Sequence, residues 1–297
     1  MNKDYSNCSC NLSKNNLSFL SHLRFLLPVS NPCHLVIEWE KYHFYPENFP
    51  EIYENLVELQ ASAKPSDVHQ IDLDIDRTFP SQKFFGQDGK QALRRILISI
   101  SIYDPSVGYV QGMNFLAGSI LWHTTEVKTF WVMTILLTKF ELRLNYIPGL
   151  PGLTKHCRIL ELILFEQYPS FVCYLNDNRA DISVYITEWC FTLFSKVVPI
   201  TEMGEVLDEF LKSGWIFFYK LVITILLRLK DKLFGLKDPS DILTLIKPSE
   251  VYKRGNNFLK GLSLPNEKLT WRKLLEETEE IQLTKQYIEF LISTMRV

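Results

Sequence analysis

The 297-residue sequence predicts an all-α protein built from many short helices. Apolar residues recur at helical spacing along most of the chain, as at Leu93, Ile96, Leu97 and Ile100, where they mark one buried helix face. Prolines interrupt these runs, and a helix usually ends at or before the residue that precedes a proline. Alternation typical of a strand occurs only at 71–76, and that segment fits helical spacing equally well.

The composition excludes several classes of protein. Lysine and arginine number 32 and the acidic residues 34, which gives a formal charge of −2 and none of the positive charge of a general nucleic-acid binder. Hydrophobic residues make up 46% of the chain, too many for an intrinsically disordered protein. The six cysteines include no Cys-x-x-Cys pair, so we expect no metal site and reduced, buried thiols at Cys157, Cys173 and Cys190.

The chain begins with a polar stretch rich in Asn and Ser, so residues 1–17 are predicted to be a disordered tail and not a signal peptide. The longest apolar stretch, 215–229, is interrupted by Lys220 and Arg228 and is shorter than the ~20 residues that a membrane span needs. A solvated helix face explains the neighbouring basic residues better than membrane binding does. We therefore expect a cytoplasmic protein with no membrane anchor of its own.

The segment 71–80 contains an arginine with an unusual setting. Arg77 follows Asp74 by three residues, so the two side chains share one face of a helix and can pair. Pro80 then forces the chain out of the helix, which places Arg77 near a loop. Taken alone, Arg77 is best explained as a surface residue in a local salt bridge worth less than ~1 kcal/mol.

A second unusual segment, 108–114, follows one amphipathic helix predicted at about 91–103. Gln111 lies between Gly108 and Gly112, which permit unusual backbone angles and close approach of other groups. Taken alone, Gln111 is best explained as a residue that satisfies backbone groups at a tight turn before the next helix.

The second half of the chain continues the helical pattern. The Pro- and Gly-rich segment 148–152 predicts a hinge between two helical halves. The stretches 130–137 and 159–165 are apolar nearly all round, which predicts helices at the centre of the core. Helical spacing at 186–197 predicts one helix of three turns. No phosphate-binding loop, zinc-protease motif or serine-hydrolase motif occurs, so we expect a protein that acts on another protein.

In order and separation, the two unusual segments resemble the motifs of the TBC domain of Rab GTPase-activating proteins. The first resemblance is carried by Ile71, Asp74 and Arg77, followed by Thr78-Phe79-Pro80, and the second by Tyr109, Gln111, Gly112, Met113 and Asn114. Further matches follow at Phe130-Trp131, at 189–195 and at 206–214, so the resemblance covers roughly residues 30–265. Two positions depart from the family pattern, because Val110 replaces a common Cys and Val36, in 36–39, replaces the Arg of an R-x-x-W motif.

The resemblance implies a multi-helix TBC fold in which two helical subdomains surround a shared groove. The domain would cover residues 18–297. Its N-terminal subdomain, about 18–150, would contain both motifs, and its C-terminal subdomain would run from about 151 to 297.

The resemblance also implies a function. Arg77 would be an arginine finger that stabilises charge on phosphoryl oxygens, and Gln111 a glutamine finger that orients the attacking water. Asp74, Tyr109 and Asn114 would be supporting residues. The partner would be a Rab-type small GTPase in its GTP-bound form. That GTPase would carry GTP and Mg²⁺, so this chain would need no cofactor. The GTPase would also recruit this chain peripherally to membranes.

Two other functions stay open at this point. A catalytically silent TBC module would act as a GTPase-binding scaffold in membrane trafficking, and would bind GTP-loaded Rab without accelerating phosphate release. An unrelated helical adaptor would be favoured if Arg77 and Gln111 lay far apart or buried.

Overall fold

The computed structural model describes residues 48–246 and 256–295. The predicted tail, 1–17, and the segment 36–39 that departs from the family motif lie outside the described residues. The proposed division into two subdomains near residue 150 stays a prediction.

Within the two described ranges the chain is all-α, as predicted, with fourteen α-helices and no strand. The helices are α1 (Phe49–Glu58), α2 (Pro65–Ile75), α3 (Gln87–Tyr103), α4 (Met113–His123), α5 (Glu126–Thr138), α6 (Pro151–Gln167), α7 (Pro169–Asp177), α8 (Ile182–Thr192), α9 (Met203–Ser213), α10 (Trp215–Leu233), α11 (Pro239–Ile246), α12 (Asn256–Leu262), α13 (Trp271–Thr278) and α14 (Lys285–Thr294). Short 3₁₀ segments occur at Leu59–Ser62, Lys83–Phe85 and Leu142–Asn145.

Local sequence explains where several helices begin. Pro65, Pro151 and Pro169 are the first residues of α2, α6 and α7, where a missing N–H costs nothing and the fixed φ suits the helix. Thr125 precedes α5, and its hydroxyl accepts a hydrogen bond from the Lys128 N–H (3.3 Å), which satisfies one of the unpaired donors at the helix start. The prolines that interrupt the apolar pattern therefore start helices as well as limiting the preceding ones.

In the N-terminal part, α3 packs against α1, α2, α4 and α5. A buried polar network joins three of these helices: Arg95 of α3 donates to the Glu126 carboxylate of α5 (2.5 and 3.0 Å), and the Tyr53 hydroxyl of α1 donates to the same carboxylate (2.8 Å). Burial, and then the Glu126 charge, raise the pKa of Tyr53, which keeps its hydroxyl a neutral donor.

In the C-terminal part, α10 packs against α9, α11, α12 and α13. Arg228 of α10 is 11% exposed and forms ion pairs with Glu267 (2.8 Å) and Glu277. Lys220 and Arg228 thus belong to a core helix, and no helix in the described part of the chain is long and apolar enough to cross a membrane. Helix α4 joins the two parts, because it contacts α8 and α9.

Three local predictions meet different outcomes. The stretch 130–137 is buried throughout, as predicted. Helix α6, by contrast, buries one face only, so Phe165 is 61% exposed, contrary to the prediction for 159–165. Cys173 is exposed and not buried, because it lies two residues, about 200° of helix rotation, from each of the buried Phe171 and Leu175. Cys190 is buried as predicted, and Cys157 is half-buried.

Candidate functional site

A groove of ≈ 680 Å³ opens where the end of α2, the start of α4 and the loop after α8 meet. Arg77 and Gln111 both line it, and both are exposed. The groove is also lined by Phe79, Pro80, Ser81, Gln82, Phe115 and residues 195–201. The structure thus brings the two predicted finger residues to one opening.

Arg77 lies two residues beyond the last residue of α2, with half of its side chain (51%) exposed. Its guanidinium donates to the carboxylate of Asp74, which is wholly buried. That carboxylate also accepts hydrogen bonds from Gln70 Nε2 (3.3 Å) and from the Tyr109 hydroxyl (2.6 Å). A buried carboxylate is tolerated only when it is paired and hydrogen-bonded, and these three donors meet that need.

The Tyr109 hydroxyl links the second motif to the first. Burial raises the pKa of Tyr109, and the hydrogen bond to Asp74 raises it further, so Tyr109 stays a neutral donor to that carboxylate. The Asp74 carboxylate that pairs with Arg77 is therefore also held by Tyr109, which lies two positions before Gln111.

A second chain of hydrogen bonds runs beside the first. The Thr78 hydroxyl donates to the Asp74 carbonyl (2.7 Å) and accepts from Asn114 Nδ2 (2.7 Å). Asn114 Oδ1 in turn accepts from the Gly112 N–H (3.1 Å), which fixes the turn that presents Gln111. The structure thus joins Asp74, Tyr109 and Asn114 in one network. The network also includes Thr78, a buried residue of the first motif that was not among the predicted supporting residues.

Close backbone packing holds both segments. Phe79 has a left-handed backbone (φ 45°), which costs about 1–3 kcal/mol in a bulky residue, and its ring packs against Phe115 (5.5 Å). Gly118 of α4 allows this approach, since a Cβ there would lie 3.2 Å from the Phe79 ring. Gly112 has φ 112°, and a Cβ there would lie 3.2 Å from Thr192 Cγ2, so the Gln111 turn rests against the end of α8.

The wall that faces Arg77 and Gln111 contains Lys196, which sequence reasoning missed. Its Nζ lies 2.6 Å from Glu188 Oε2 and 5.4 Å from the centre of the Phe115 ring. The predicted helix at 186–197 is wrong here: α8 ends at Thr192, because Leu193 and Phe194 have left-handed backbones (φ 44° and 66°). This change of direction brings Lys196 to the groove, and no glycine in the sequence signals it.

The far end of the same wall is tied to α4. His123 Nε2 lies 2.8 Å from the Ile200 carbonyl oxygen, which only accepts, so Nε2 carries the ring proton and donates. Burial lowers the pKa of His123, which therefore stays neutral near pH 7.

The charges around the groove suit an anionic group. Arg77 and Lys196 line it, and no carboxylate does so within the described residues. Their counter-charges, Asp74 and Glu188, are mostly or wholly covered and do not line the groove. A guanidinium, an ammonium and the carboxamide of Gln111 therefore line one groove. All three can donate hydrogen bonds to phosphoryl or carboxylate oxygens.

Comparison with known families decides the fold relationship. The family model described as the Rab-GTPase-TBC domain matches residues 26–234, which contain every groove residue named above. This chain belongs to the Rab-GTPase-TBC domain family. The sequence resemblance to that family is confirmed.

Individual relatives in the Rab-GTPase-TBC domain family are larger proteins. The chain is 32% identical over 168 residues to the Rab GTPase-activating protein eat-17 of Caenorhabditis elegans, covering 56% of this chain and 19% of that protein. It is 28% identical over 188 residues to the GTPase-activating protein GYP5 of Saccharomyces cerevisiae, covering 63% and 20%. The chain thus spans about a fifth of the length of these two curated relatives.

Solved structures of the same family share the fold. The Ypt/Rab-GAP domain of Gyp1p superposes with a TM-score of 0.65 at 19% identity, covering 83% of this chain and 87% of that one. The Chlamydomonas flagellar RabGAP TBC domain gives a TM-score of 0.61 at 21% identity, covering 77% and 74%. The predicted TBC fold is therefore confirmed.

Proposed function

We propose that this chain accelerates GTP hydrolysis by a Rab-type small GTPase, with Arg77 and Gln111 entering the partner's active site together. One observation carries the proposal most: an exposed guanidinium and an exposed carboxamide line the same groove. Membership of the Rab-GTPase-TBC domain family supports the class of partner.

Arg77 has the chemistry of an arginine finger. Negative charge spreads over the phosphoryl oxygens as GTP is cleaved, and a permanently charged, planar guanidinium donates two parallel hydrogen bonds to them. Such arginines are worth about 10³–10⁵ in kcat in other GTPases. The wholly buried Asp74 fixes the base of the segment, while half of the Arg77 side chain stays exposed to reach outward.

Gln111 has the chemistry to hold the attacking water. Its carboxamide oxygen accepts a hydrogen bond from water while its NH₂ donates to a phosphoryl oxygen, without adding charge. Asn114 fixes the turn through the Gly112 N–H, so the carboxamide is presented from a backbone that needs little rearrangement on binding.

The nucleotide belongs to the partner in this proposal. We expect GTP and Mg²⁺ to arrive bound to the GTPase, with this chain supplying only side chains and no cofactor. We expect the GTP-bound form to be the one recognised, and the GTPase to bring this chain to membranes.

Single-turnover GTP hydrolysis with a panel of GTP-loaded Rab proteins tests the proposal. Arg77→Ala is expected to lower the stimulated rate by at least ~10²-fold, because the charge on the phosphoryl oxygens loses its stabilising partner. Arg158→Ala is the matched control, since Arg158 also forms an i,i+3 ion pair, with Glu161, but lies outside the groove. Arg158→Ala is expected to melt within ~2 °C of the wild type, since its ion pair is exposed. Arg77→Ala removes a charged donor from the buried Asp74 carboxylate, so it is expected to melt several degrees lower while staying folded at the assay temperature.

Two results would change the assignment. Equal stimulated rates for wild type and Arg77→Ala would remove Arg77 from the chemistry. Binding of GTP-loaded Rab by the wild type without any acceleration would identify the chain as a scaffold.

A further inference from the structure

We infer that Lys196 and Ser195 form a docking site for a carboxylate on the surface of the GTPase, and so determine which partner binds and how tightly. This inference rests on the proposed function for the identity of the partner. It concerns the wall of the groove that faces Arg77 and Gln111, to which the sequence motifs assign no role.

The backbone before Lys196 is the first observation. Leu193 and Phe194 are consecutive bulky residues with left-handed backbones, and each is 1% exposed. Phe194 packs against Trp189 (5.3 Å) and Phe218 (5.2 Å), so burial holds a conformation that the residues themselves disfavour. Strain of this kind concentrates at binding and catalytic sites, and here it directs the chain into the groove.

The Lys196 side chain is held in place before any partner arrives. One of its three N–H donors serves Glu188 (2.6 Å), and the ammonium also lies 5.4 Å from the Phe115 ring centre. The side chain is 19% exposed and lines the groove, and an ammonium has further donors for an acceptor that enters there. Because the lysine is already ordered, binding to it costs little conformational entropy.

Ser195 supplies an independent observation. Its Oγ is buried, lines the same groove and has no hydrogen-bond partner among the described residues. A buried hydroxyl without a partner costs free energy, and a small outward shift of residue 195 in the groove wall would let an acceptor from a bound molecule satisfy it. An ammonium and a hydroxyl from adjacent residues together suit an oxyanion.

The proposed function leaves Lys196 to a protein carboxylate. Arg77 and Gln111 are assigned to the phosphoryl oxygens and the attacking water, so the second cation of the groove has no part in the chemistry. Phe115 contacts both walls, since its ring centre is 5.5 Å from that of Phe79 and 5.4 Å from Lys196 Nζ. An acidic side chain of the GTPase beside its nucleotide site suits Lys196 by charge.

The test separates docking from chemistry by measuring two quantities. The affinity for Rab proteins loaded with a non-hydrolysable GTP analogue is measured in the Arg77→Ala background, and KM and kcat for stimulated hydrolysis are measured in the wild-type background. Lys196→Gln is expected to weaken binding and raise KM about tenfold with kcat unchanged, since a charged hydrogen bond is lost. The effect should shrink at high salt. Ser195→Ala should act in the same direction with about a threefold change, and Lys196→Arg should retain most of the affinity.

Lys155→Gln is the matched control, because Lys155 pairs with Glu141 (3.2 Å) outside the groove, and it should leave both quantities unchanged. A fall in kcat with KM unchanged in Lys196→Gln would overturn the inference in favour of contact with the phosphoryl group. Unchanged affinity and KM would overturn it in favour of a structural role. Weakened binding by Lys196→Gln without any stimulated hydrolysis in the wild type would support the docking site and refute the proposed function. Failure of every Rab in the panel to bind would refute both.

Discussion

The two walls of the groove each hold a cation against a carboxylate, but they hold it differently. On the wall formed by α2 and α4, Asp74 is wholly buried while the Arg77 side chain is 51% exposed. On the facing wall, Glu188 and Lys196 are equally covered, at 19% exposed each. Bulky residues with left-handed backbones stand near both cations: Phe79 follows Arg77 by two residues, and Phe194 precedes Lys196 by two.

This difference separates a side chain that can reach out from one that stays in place. The network of Asp74, Tyr109 and Asn114 holds the backbone segment from which Arg77 extends, while half of the Arg77 side chain stays exposed to solvent. Lys196 has its charged end itself enclosed by Glu188 and Phe115. We therefore expect changes on the first wall to lower kcat and changes on the second wall to raise KM.

The largest expected effect tests whether the first wall needs the shape of arginine as well as its charge. Arg77→Lys is expected to lower the stimulated kcat by at least ~10²-fold, because an ammonium lacks the planar fork that donates two parallel hydrogen bonds. Single-turnover hydrolysis measures it, with Arg158→Lys as the control outside the groove. Near-wild-type kcat in Arg77→Lys would show that a point charge is enough and would weaken the contrast with Lys196.

The second expected effect tests the buried Asp74 carboxylate of the first wall. Tyr109→Phe removes one donor from the Asp74 carboxylate and is expected to lower the free energy of unfolding by about 2 kcal/mol. Chemical denaturation measures it. Tyr287→Phe is a matched control, because Tyr287 also donates to a carboxylate, that of Glu166, in an exposed pair. Equal losses in the two variants would mean that burial of Asp74 adds nothing.

The third expected effect tests the contact between the walls. Gly112→Ala places a methyl group 3.2 Å from Thr192 Cγ2 at a backbone φ of 112°, so the turn has to shift. Because that turn presents Gln111, kcat is expected to fall about tenfold. Gly261→Ala, in α12, meets no atom within 4 Å and is the control. Wild-type kcat in Gly112→Ala would show that the position of Gln111 does not depend on α8.

The smallest expected effect is a dependence on pH. Burial lowers the pKa of His156 to about 3 and also lowers that of His123, which supports the second wall at Ile200. The unfolded chain binds more protons below the ordinary value of ~6.5, so stability falls as pH falls through that value. His156 alone is expected to remove about 0.7 kcal/mol between pH 7 and pH 6.

Denaturation of wild type and His156→Gln at pH 7 and pH 6 measures this effect. The variant should lose part of the pH dependence and keep the part that His123 contributes. A wild-type stability that is flat or rises on acidification would contradict the sign.

The sequence was informative where spacing alone sets the geometry. The Asp74–Arg77 pair follows from helical periodicity, and Pro80 indicated that Arg77 would stand near the end of a helix. Joining Arg77 to Gln111 at one groove depended on resemblance to a family, because no local pattern shows which loops meet. The roles proposed for both residues remain predictions.

The second wall could not be predicted for a physical reason. Helical spacing continues from Ile186 to Val197, but burial of Leu193 and Phe194 turns the backbone after Thr192. Tertiary packing therefore overrides the local pattern, and neither a glycine nor a proline marks the place. Thr78 is a different case from Lys196. It lies inside the motif that the sequence showed, but its hydrogen bonds to Asp74 and Asn114 could be known only from the structure.

The setting of Arg228 has a practical consequence for shortened forms of the protein. The family match ends at residue 234, whereas the two carboxylates that neutralise Arg228 lie at Glu267 and Glu277. Truncation at the end of the match would remove both carboxylates together with α11, α12 and α13, and would expose to water the apolar face of α10 on which those helices pack. A stable fragment is therefore expected to extend at least through α13, about forty residues further than homology alone would suggest.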